Sequence, residues 1–189
     1  MFRFKLKRML VHTIILLSCT LALPTVSLDS TRTAFYSSDS LRLEVAKTYT
    51  AQIGVRETLG NNDSHEIREY LSVAGFSYPV PWCAAFVAWT LTEHHIKNPK
   101  SAWSPSWFPR SKTIYTKGKG RTPRTADVFG IYYSRLKRIG HVGFIDKWTD
   151  ASYCITVEGN TNSYGSREGD GVLRKRRLKE QIDKVSSWM

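Results

Sequence analysis

Residues 82–95 limit most strongly what this chain can fold into, because they are apolar on nearly every side of a helix. Pro79 and Pro81 favour an extended chain immediately before this segment, so that a helix is expected to begin near Trp82. A helix that is hydrophobic all round is stable only when it is buried. The chain must therefore build a globular domain around this segment.

The segments on either side of the buried helix differ in their hydrophobic pattern. Before it, helices are predicted over residues 41–52 and 65–74, and after it the alternation of apolar and polar residues predicts strands. These strands are expected over residues 127–133, 140–148 and 153–158. A helical first half followed by antiparallel strands predicts an α+β domain, with N-terminal helices packed on a C-terminal antiparallel β-sheet.

The N-terminus has the order of a secretory signal peptide. A basic stretch at residues 2–8 precedes an apolar stretch at residues 9–23 and a small-residue site at residues 25–27. The apolar stretch is shorter than the roughly 20 residues of a membrane-spanning helix, so no transmembrane helix is expected in the mature chain. Acylation of Cys19, which would make a lipoprotein, is the alternative. Both outcomes predict export to the periplasm or the extracellular space.

The predicted domain organisation follows from this N-terminus. Residues 1–27 form the signal peptide, residues 28–40 are a linker rich in Ser and Thr, and residues 41–189 form one domain. The formal net charge is +12, which favours polyanionic partners such as nucleic acid, anionic lipid or wall polymers. Binding to nucleic acid would rest on charge alone and does not fit an exported protein. The basic run at residues 174–179 is interpreted as a solvated edge or as an attractor of anions.

Cys83 lies in the predicted first turn of the buried helix. The partial positive charge and free N–H groups of a helix N-terminus favour the thiolate, which is the nucleophilic form of cysteine. The same N–H groups can bind an oxyanion. The alternatives are a buried structural cysteine and a disulfide with Cys154, although Cys154 is more simply a small core residue in a strand.

His141 is the histidine best placed to act as a base for this cysteine. His65, His94 and His95 lie at predicted helix ends, whereas His141 begins a strand within Gly140-His141-Val142-Gly143, where the two glycines leave room for a close neighbour. A lone histidine in a strand is more often structural. The polar segment downstream, residues 158–162, favours the catalytic interpretation.

Glu158 and Asn160 are the candidates for orienting the His141 ring. A three-residue hairpin turn at residues 149–151 would place His141 opposite Gly159, and a shift of one residue would place it opposite Glu158 or Asn160. Facing and diagonal side chains in an antiparallel pair lie within reach of each other. Each register therefore predicts that Glu158 or Asn160 contacts His141.

Three blocks of the sequence together resemble the CHAP domain, the cysteine, histidine-dependent amidohydrolase/peptidase family. They are Pro81-Trp82-Cys83-Ala84-Ala85-Phe86-Val87-Ala88-Trp89, His141-Val142-Gly143-Phe144 and Glu158-Gly159-Asn160-Thr161-Asn162. The resemblance implies a fold like that of NlpC/P60 and papain-like enzymes, with Cys83 as nucleophile and His141 as base. It also implies that Glu158 orients His141, with Asn160 as a further polar member of the site.

The resemblance further implies that the substrate is peptidoglycan, cut at an amide bond by an N-acetylmuramoyl-L-alanine amidase or a peptide endopeptidase. Trp82 is predicted to bind substrate, and the aromatic loop at residues 103–108 either lines the groove or packs over the core. Some members bind calcium through an acidic loop, but Asn61-Asn62-Asp63 offers too few charged oxygens, so no metal and no cofactor are predicted. A monomer is expected. The alternatives are a non-catalytic wall-binding protein of the same fold and a cysteine peptidase that acts on proteins.

Overall fold

A computed structural model describes residues 38–164 and 169–189 of the protein. The predicted signal peptide, Cys19 and most of the predicted linker lie outside these residues. Within the described residues, three α-helices precede a seven-stranded antiparallel sheet, so the α+β class is confirmed. None of the helices in this part of the chain is long and apolar enough to cross a membrane.

The three helices lie close to their predicted positions. They are α1 (Ser38–Ala51), α2 (His65–Val73) and α3 (Cys83–Glu93). Ser64 caps α2, because its hydroxyl oxygen accepts a hydrogen bond from the backbone N–H of Ile67 at 3.1 Å. Helix α3 packs against α2, β4 and β5, which buries it as its uniformly apolar sequence requires.

The sheet extends well beyond the three predicted strands. Its strands are β1 (Thr113–Thr116), β2 (Lys119–Gly120), β3 (Val128–Tyr133), β4 (Arg138–Trp148), β5 (Tyr153–Thr161), β6 (Gly171–Leu178) and β7 (Lys184–Ser186). They are ordered β2-β1-β7-β3-β4-β5-β6. Strands β3, β4 and β5 correspond to the predicted ones. The other strands were not predicted, because β1 and β2 fall in a segment rich in Pro and Gly, and four of the eight residues of β6 are consecutive charged residues.

Both faces of the sheet are covered by apolar side chains. On one face, residues such as Val142, Phe144 and Val157 pack with the helices, and on the other a second cluster includes Phe129 and Cys154. Gly159 lies on the helix-facing side of β5, where a Cβ atom would approach Cζ3 of Trp82 to 2.7 Å. The absence of a side chain at Gly159 therefore allows the start of α3 to lie directly on β5.

A buried ion pair attaches α1 to the sheet. Arg42 Nη1 donates to Asp127 Oδ1 at 2.8 Å, and Arg42 Nη2 donates to the hydroxyl of Ser187 at 2.8 Å. The Arg42 side chain is 6% exposed and the Asp127 side chain is fully buried. Since an unpaired charge at this depth is costly, the pair fixes where α1 meets the start of β3 and the C-terminal residues.

The β4–β5 hairpin differs from the predicted three-residue turn. Trp148 pairs with Cys154, whereas a turn at residues 149–151 would have paired it with Ser152. An irregularity between Ile145 and Lys147 then changes the offset by one residue, so that Phe144 pairs with Val157. Continued along the strands, this register sets His141 opposite Asn160 and diagonal to Glu158, one residue from the predicted central register.

Candidate active site

Cys83, His141 and Glu158 form a continuous chain of side-chain contacts. Cys83 is the first residue of α3, His141 lies in β4 and Glu158 lies in β5. His141 Nε2 is 2.9 Å from Glu158 Oε2. The His141 ring is also close enough to the Cys83 thiol to lower the pKa of that thiol. Because Nε2 contacts Glu158, Nδ1 is the ring nitrogen that remains to exchange a proton with Cys83. The sequence candidates from three separate elements therefore meet at one point.

The site is almost closed to solvent. Cys83 is 5% exposed, His141 is 6% exposed and Glu158 is fully buried. Gly143, two residues after His141, faces Glu158, and a Cβ atom there would lie 3.1 Å from Glu158 Cγ. This glycine therefore leaves the space in which the Glu158 side chain reaches the histidine. A low-dielectric site of this kind strengthens each charge interaction within it.

Four neighbours hold the Glu158 carboxylate. Arg177 donates twice, from Nε to Oε1 at 2.8 Å and from Nη2 to Oε2 at 2.6 Å. The hydroxyl of Thr156 donates to Oε1 at 2.6 Å, and that of Thr161 donates to Oε2 at 3.3 Å. Together with His141, these donors occupy both oxygens and fix the plane of the carboxylate.

The three chemical groups shift one another's pKa values. Burial alone would raise the pKa of the Cys83 thiol, but the hydrogen bond and positive charge of His141 outweigh burial and hold that pKa below its usual value. Burial alone would lower the pKa of His141, but its bonds to Cys83 and Glu158 raise it to about 9. Arg177 and then His141 hold the pKa of Glu158 far below its usual range despite burial. All three directions favour a thiolate beside an imidazolium.

Asn160 holds the local backbone and does not bond to His141. In the amide orientation that satisfies both of its neighbours, its oxygen accepts from the backbone N–H of Trp82 at 3.1 Å and its nitrogen donates to the Gly169 carbonyl at 2.6 Å. Asn160 has φ of 52°, a left-handed conformation that asparagine tolerates better than most residues. It therefore links the end of β5 to the residue that precedes Cys83.

Trp82 does not line the groove, which corrects its predicted role in binding substrate. Its side chain is fully buried, its indole N–H donates to Glu57 Oε1 at 3.0 Å, and its ring packs near Tyr70. The next residue, Cys83, does line the groove, so these two neighbouring side chains lie in different surroundings. Trp82 therefore helps to hold the start of α3 in place from within the core.

A groove of about 290 Å³ opens onto Cys83. Trp103 is the exposed aromatic residue on it, at 51% exposure, and the Arg138 guanidinium lies 4.0 Å from the centre of the Trp103 ring. The two predicted roles of the aromatic loop both occur, because Trp103 lines the groove and Trp107 is buried in the core. Apolar lining comes from Phe76, Val80 and Pro81.

Ser104 and Arg177 contact the site, although no sequence pattern marked either residue as a member of it. Ser104 is 4% exposed, and its hydroxyl oxygen is 3.7 Å from Cys83 Sγ. It belongs to a short 3₁₀ helix, Ser104–Trp107, inside the segment that was interpreted only as a loop. Arg177 lies in the basic run that was interpreted as a solvated edge or an attractor of anions. Residues 171–178 show no clear alternation of apolar and polar residues, so only the pairing of β5 with β6 places Arg177 on the same face of the sheet as Glu158.

The other candidates take structural positions. Cys154 is fully buried on the opposite face of the sheet from α3, and both Cys83 and Cys154 are free thiols. The Asp63 carboxylate accepts hydrogen bonds from the backbone N–H groups of Leu59 and Asn61, so it closes its own loop. In the part of the chain that the structure describes, no three His, Cys, Asp or Glu side chains converge as metal ligands would.

Comparison with known families agrees with this geometry. Residues 74–160 match the family model of the CHAP domain, and the match includes Cys83, His141, Glu158 and Asn160. Searches of the curated proteins and of the solved structures give no significant match. The matched segment runs from the end of α2 to the end of β5, and thus includes all three elements that meet at the site. Over residues 74–160, which include Ser104 but not Arg177, the chain is therefore similar to the CHAP domain family.

Proposed function

We propose that this protein is an exported hydrolase that cuts an amide bond of peptidoglycan, with Cys83 as the nucleophile. The similarity of residues 74–160 to the CHAP domain suggests a hydrolase of the peptidoglycan amidase or peptidase type, and it implies a papain-like fold. The observation that carries the proposal is the buried series Cys83–His141–Glu158, in which Glu158 contacts His141 at 2.9 Å, His141 lowers the pKa of Cys83, and Cys83 lines an open groove. A cysteine and a histidine held in this way by a third group form the arrangement of nucleophilic catalysis.

The proposed reaction proceeds through an acyl-enzyme. The Cys83 thiolate attacks the amide carbonyl carbon, and the N–H groups in the first turn of α3 receive the oxyanion. The imidazolium of His141 then gives its proton to the leaving amine, which departs and leaves a thioester. His141 next takes a proton from water as the hydroxide attacks the thioester. The tetrahedral intermediate then collapses, the C–S bond breaks, the carboxylic acid product leaves, and the Cys83 thiolate beside the His141 imidazolium is restored. Glu158 stabilises the imidazolium and fixes its orientation throughout.

The groove fits a polymer that carries carboxylates. Peptidoglycan combines sugars with acidic peptides, and the groove offers the flat face of Trp103 beside the positive charge of Arg138. Aromatic faces stack on sugar rings and apolar side chains, and a guanidinium binds carboxylates through paired hydrogen bonds. Without the four basic residues of the predicted signal peptide, 24 of the 28 basic residues remain against 16 acidic ones, and this net charge of +8 favours the same anionic target over long range.

Mass spectrometry of digested peptidoglycan tests the proposal. We expect the protein to release fragments that each carry one new carboxylate, with the amine formed on the partner fragment. A new lactyl carboxylate on muramic acid would identify an amidase, and a new α-carboxylate within the peptide would identify an endopeptidase. A protein bearing Cys83→Ala is the matched control for non-enzymatic release.

Two other outcomes would contradict the proposal. Cleavage of protein substrates with no change in peptidoglycan would identify a cysteine peptidase acting on proteins. Sedimentation with intact peptidoglycan and no bond cleavage by either form would identify a non-catalytic wall-binding protein.

The pH dependence of hydrolysis follows from the pKa directions. We expect activity to persist to about pH 9 and to fall above it, because His141, with its pKa raised to about 9, then loses the proton that the leaving amine needs. On the acid side, the lowered pKa of Cys83 keeps the thiolate available below the pH at which an ordinary thiol ionises. Initial rates of clearing of a peptidoglycan suspension at constant ionic strength measure this profile, with circular dichroism to verify folding at each pH. Loss of activity between pH 7 and 8 would contradict it.

A further inference from the structure

The basic run of β6 has partners on both faces of the strand. Arg174 forms an ion pair with Asp146, and the Arg176 guanidinium lies 3.8 Å from the centre of the Tyr153 ring. Both of these arginines are exposed. Arg177 belongs to the other face, its side chain is 16% exposed, and it reaches the fully buried Glu158. One member of this run is therefore built into the interior beside the candidate active site.

Arg177 and His141 share one oxygen of the Glu158 carboxylate. Glu158 Oε2 lies 2.6 Å from Arg177 Nη2 and 2.9 Å from His141 Nε2, while Oε1 is bound by Arg177 Nε at 2.8 Å. The fork of a guanidinium fits a carboxylate in one plane only, so two parallel bonds fix its rotation. Arg177, a residue of β6, therefore determines how Glu158 Oε2 is directed toward His141.

We propose that Arg177 is a positioning residue that acts on the Cys83–His141 pair through Glu158, both by fixing the carboxylate and by balancing the charge of the site. The expected effect of Arg177 on turnover rests on the proposed function, because it presupposes that the site hydrolyses peptidoglycan. The charge count explains the second role. With a thiolate at Cys83, an imidazolium at His141, a carboxylate at Glu158 and a guanidinium at Arg177, the buried group is neutral as a whole.

Removing the guanidinium charge would leave this group with one excess negative charge in a closed site. Each neighbour would then bind protons more readily, so the pH at which the thiolate becomes protonated should rise. The other titratable groups around Glu158 and Arg177 are Lys175, Cys154 and Tyr133. Lys175 donates to the hydroxyl of Thr161 and to the carbonyl of Asn162, so it is not oriented to replace Arg177 on the carboxylate.

The test uses the full chain and two substitutions that separate charge from geometry. Arg177→Gln keeps a hydrogen-bond donor near Glu158 and removes the charge, whereas Arg177→Lys keeps the charge and removes the fork. Arg176→Gln removes a neighbouring charge on the exposed face of the same strand and is the matched control. The rate at which iodoacetamide alkylates Cys83 is measured against pH by mass spectrometry of the peptide that contains Cys83. This readout does not depend on the identity of the substrate.

We expect the alkylation midpoint of Arg177→Gln to rise by about one pH unit relative to the parent protein. Arg177→Lys and Arg176→Gln should keep the parental midpoint within a few tenths of a unit. In turnover of peptidoglycan at saturating substrate, Arg177→Lys should lose about tenfold, because the carboxylate is no longer fixed in its plane. A purely structural arginine would lower the unfolding temperature in these variants and leave the midpoint in place.

An unchanged midpoint in folded Arg177→Gln overturns the proposal, and so does an equal shift in Arg176→Gln, which would reveal an effect of net charge alone. If Arg177→Gln does not fold, Arg177→Lys decides, since parental turnover in that variant would exclude a positioning role. If the parent protein has no activity on peptidoglycan, the alkylation midpoints still decide the role of Arg177. Failure of this inference and failure of the proposed function are thereby distinguished.

Discussion

Replacing Cys83 with alanine is expected to lower peptidoglycan hydrolysis by at least about 10³-fold while the fold survives. The substitution removes the sulfur that would attack the carbonyl, and no other group in the proposed mechanism can take its place. Cys83 is a small residue in the first turn of α3, so loss of its thiol changes little of the packing around it. Release of new amines from peptidoglycan measures the first effect, and thermal unfolding measures the second.

Cys154→Ala is the matched control for Cys83→Ala. Both residues are buried free thiols, but Cys154 lies in the core cluster on the other face of the sheet. Burial raises the pKa of its thiol to about 11, which keeps Cys154 uncharged and unreactive at neutral pH. We expect Cys154→Ala to cost about 1–2 kcal/mol of stability and to keep most of the activity. If Cys154→Ala were the inactivating change, the assignment of the nucleophile would be wrong.

Replacing Glu158 with glutamine is expected to have the second largest effect, a loss of about 10²–10⁴-fold in turnover. The amide cannot stabilise the imidazolium by charge, and its NH₂ group can present a donor where His141 needs an acceptor. The pKa of His141 should therefore fall from about 9, and the alkaline limit of activity should move to lower pH. Initial rates across the pH range measure both effects.

Glu158→Gln should also destabilise the fold, because Arg177 would keep its charge in the interior without an anion. Breaking a buried ion pair in this way costs about 3–5 kcal/mol. Asp127→Asn is the matched control, since Asp127 forms a buried pair with Arg42 that makes no contact with the site. It should lose comparable stability and keep the parental pH profile. Equal pH profiles for the parent and Glu158→Gln would contradict the role proposed for Glu158.

The sequence was informative wherever a local pattern was sufficient. The segment at residues 82–95, apolar on nearly every side, predicted a buried helix, and the helix begins at Cys83, close to the start that the neighbouring prolines indicated. Alternation predicted β3, β4 and β5, the strands that carry or flank His141 and Glu158. A helix repeats about every 3.6 residues and a strand about every 2 residues. Both periods are visible in residues that are neighbours along the chain, so these elements could be predicted from the sequence.

The exact pairing of β4 with β5 could not be obtained in this way. The offset is set by a longer turn and by an irregularity near Asp146, and no local signal marked either feature. The prediction of a contact to His141 nevertheless covered a shift of one residue in either direction. Glu158 therefore meets the ring as a diagonal neighbour, while Asn160 bonds to the start of α3.

By itself, the sequence determined the α+β class, the buried helix that begins with Cys83, and the three blocks that contain Cys83, His141 and Glu158. Only the tertiary structure decided that Trp82 is buried, that Trp103 faces the groove, and which residues support the site from outside these blocks. Ser104 comes from a short helical turn and Arg177 from an edge strand, and each reaches the site across the fold. Contacts of this kind depend on how separate elements pack together, because an arginine in a charged run looks the same in sequence whether it faces water or a buried carboxylate.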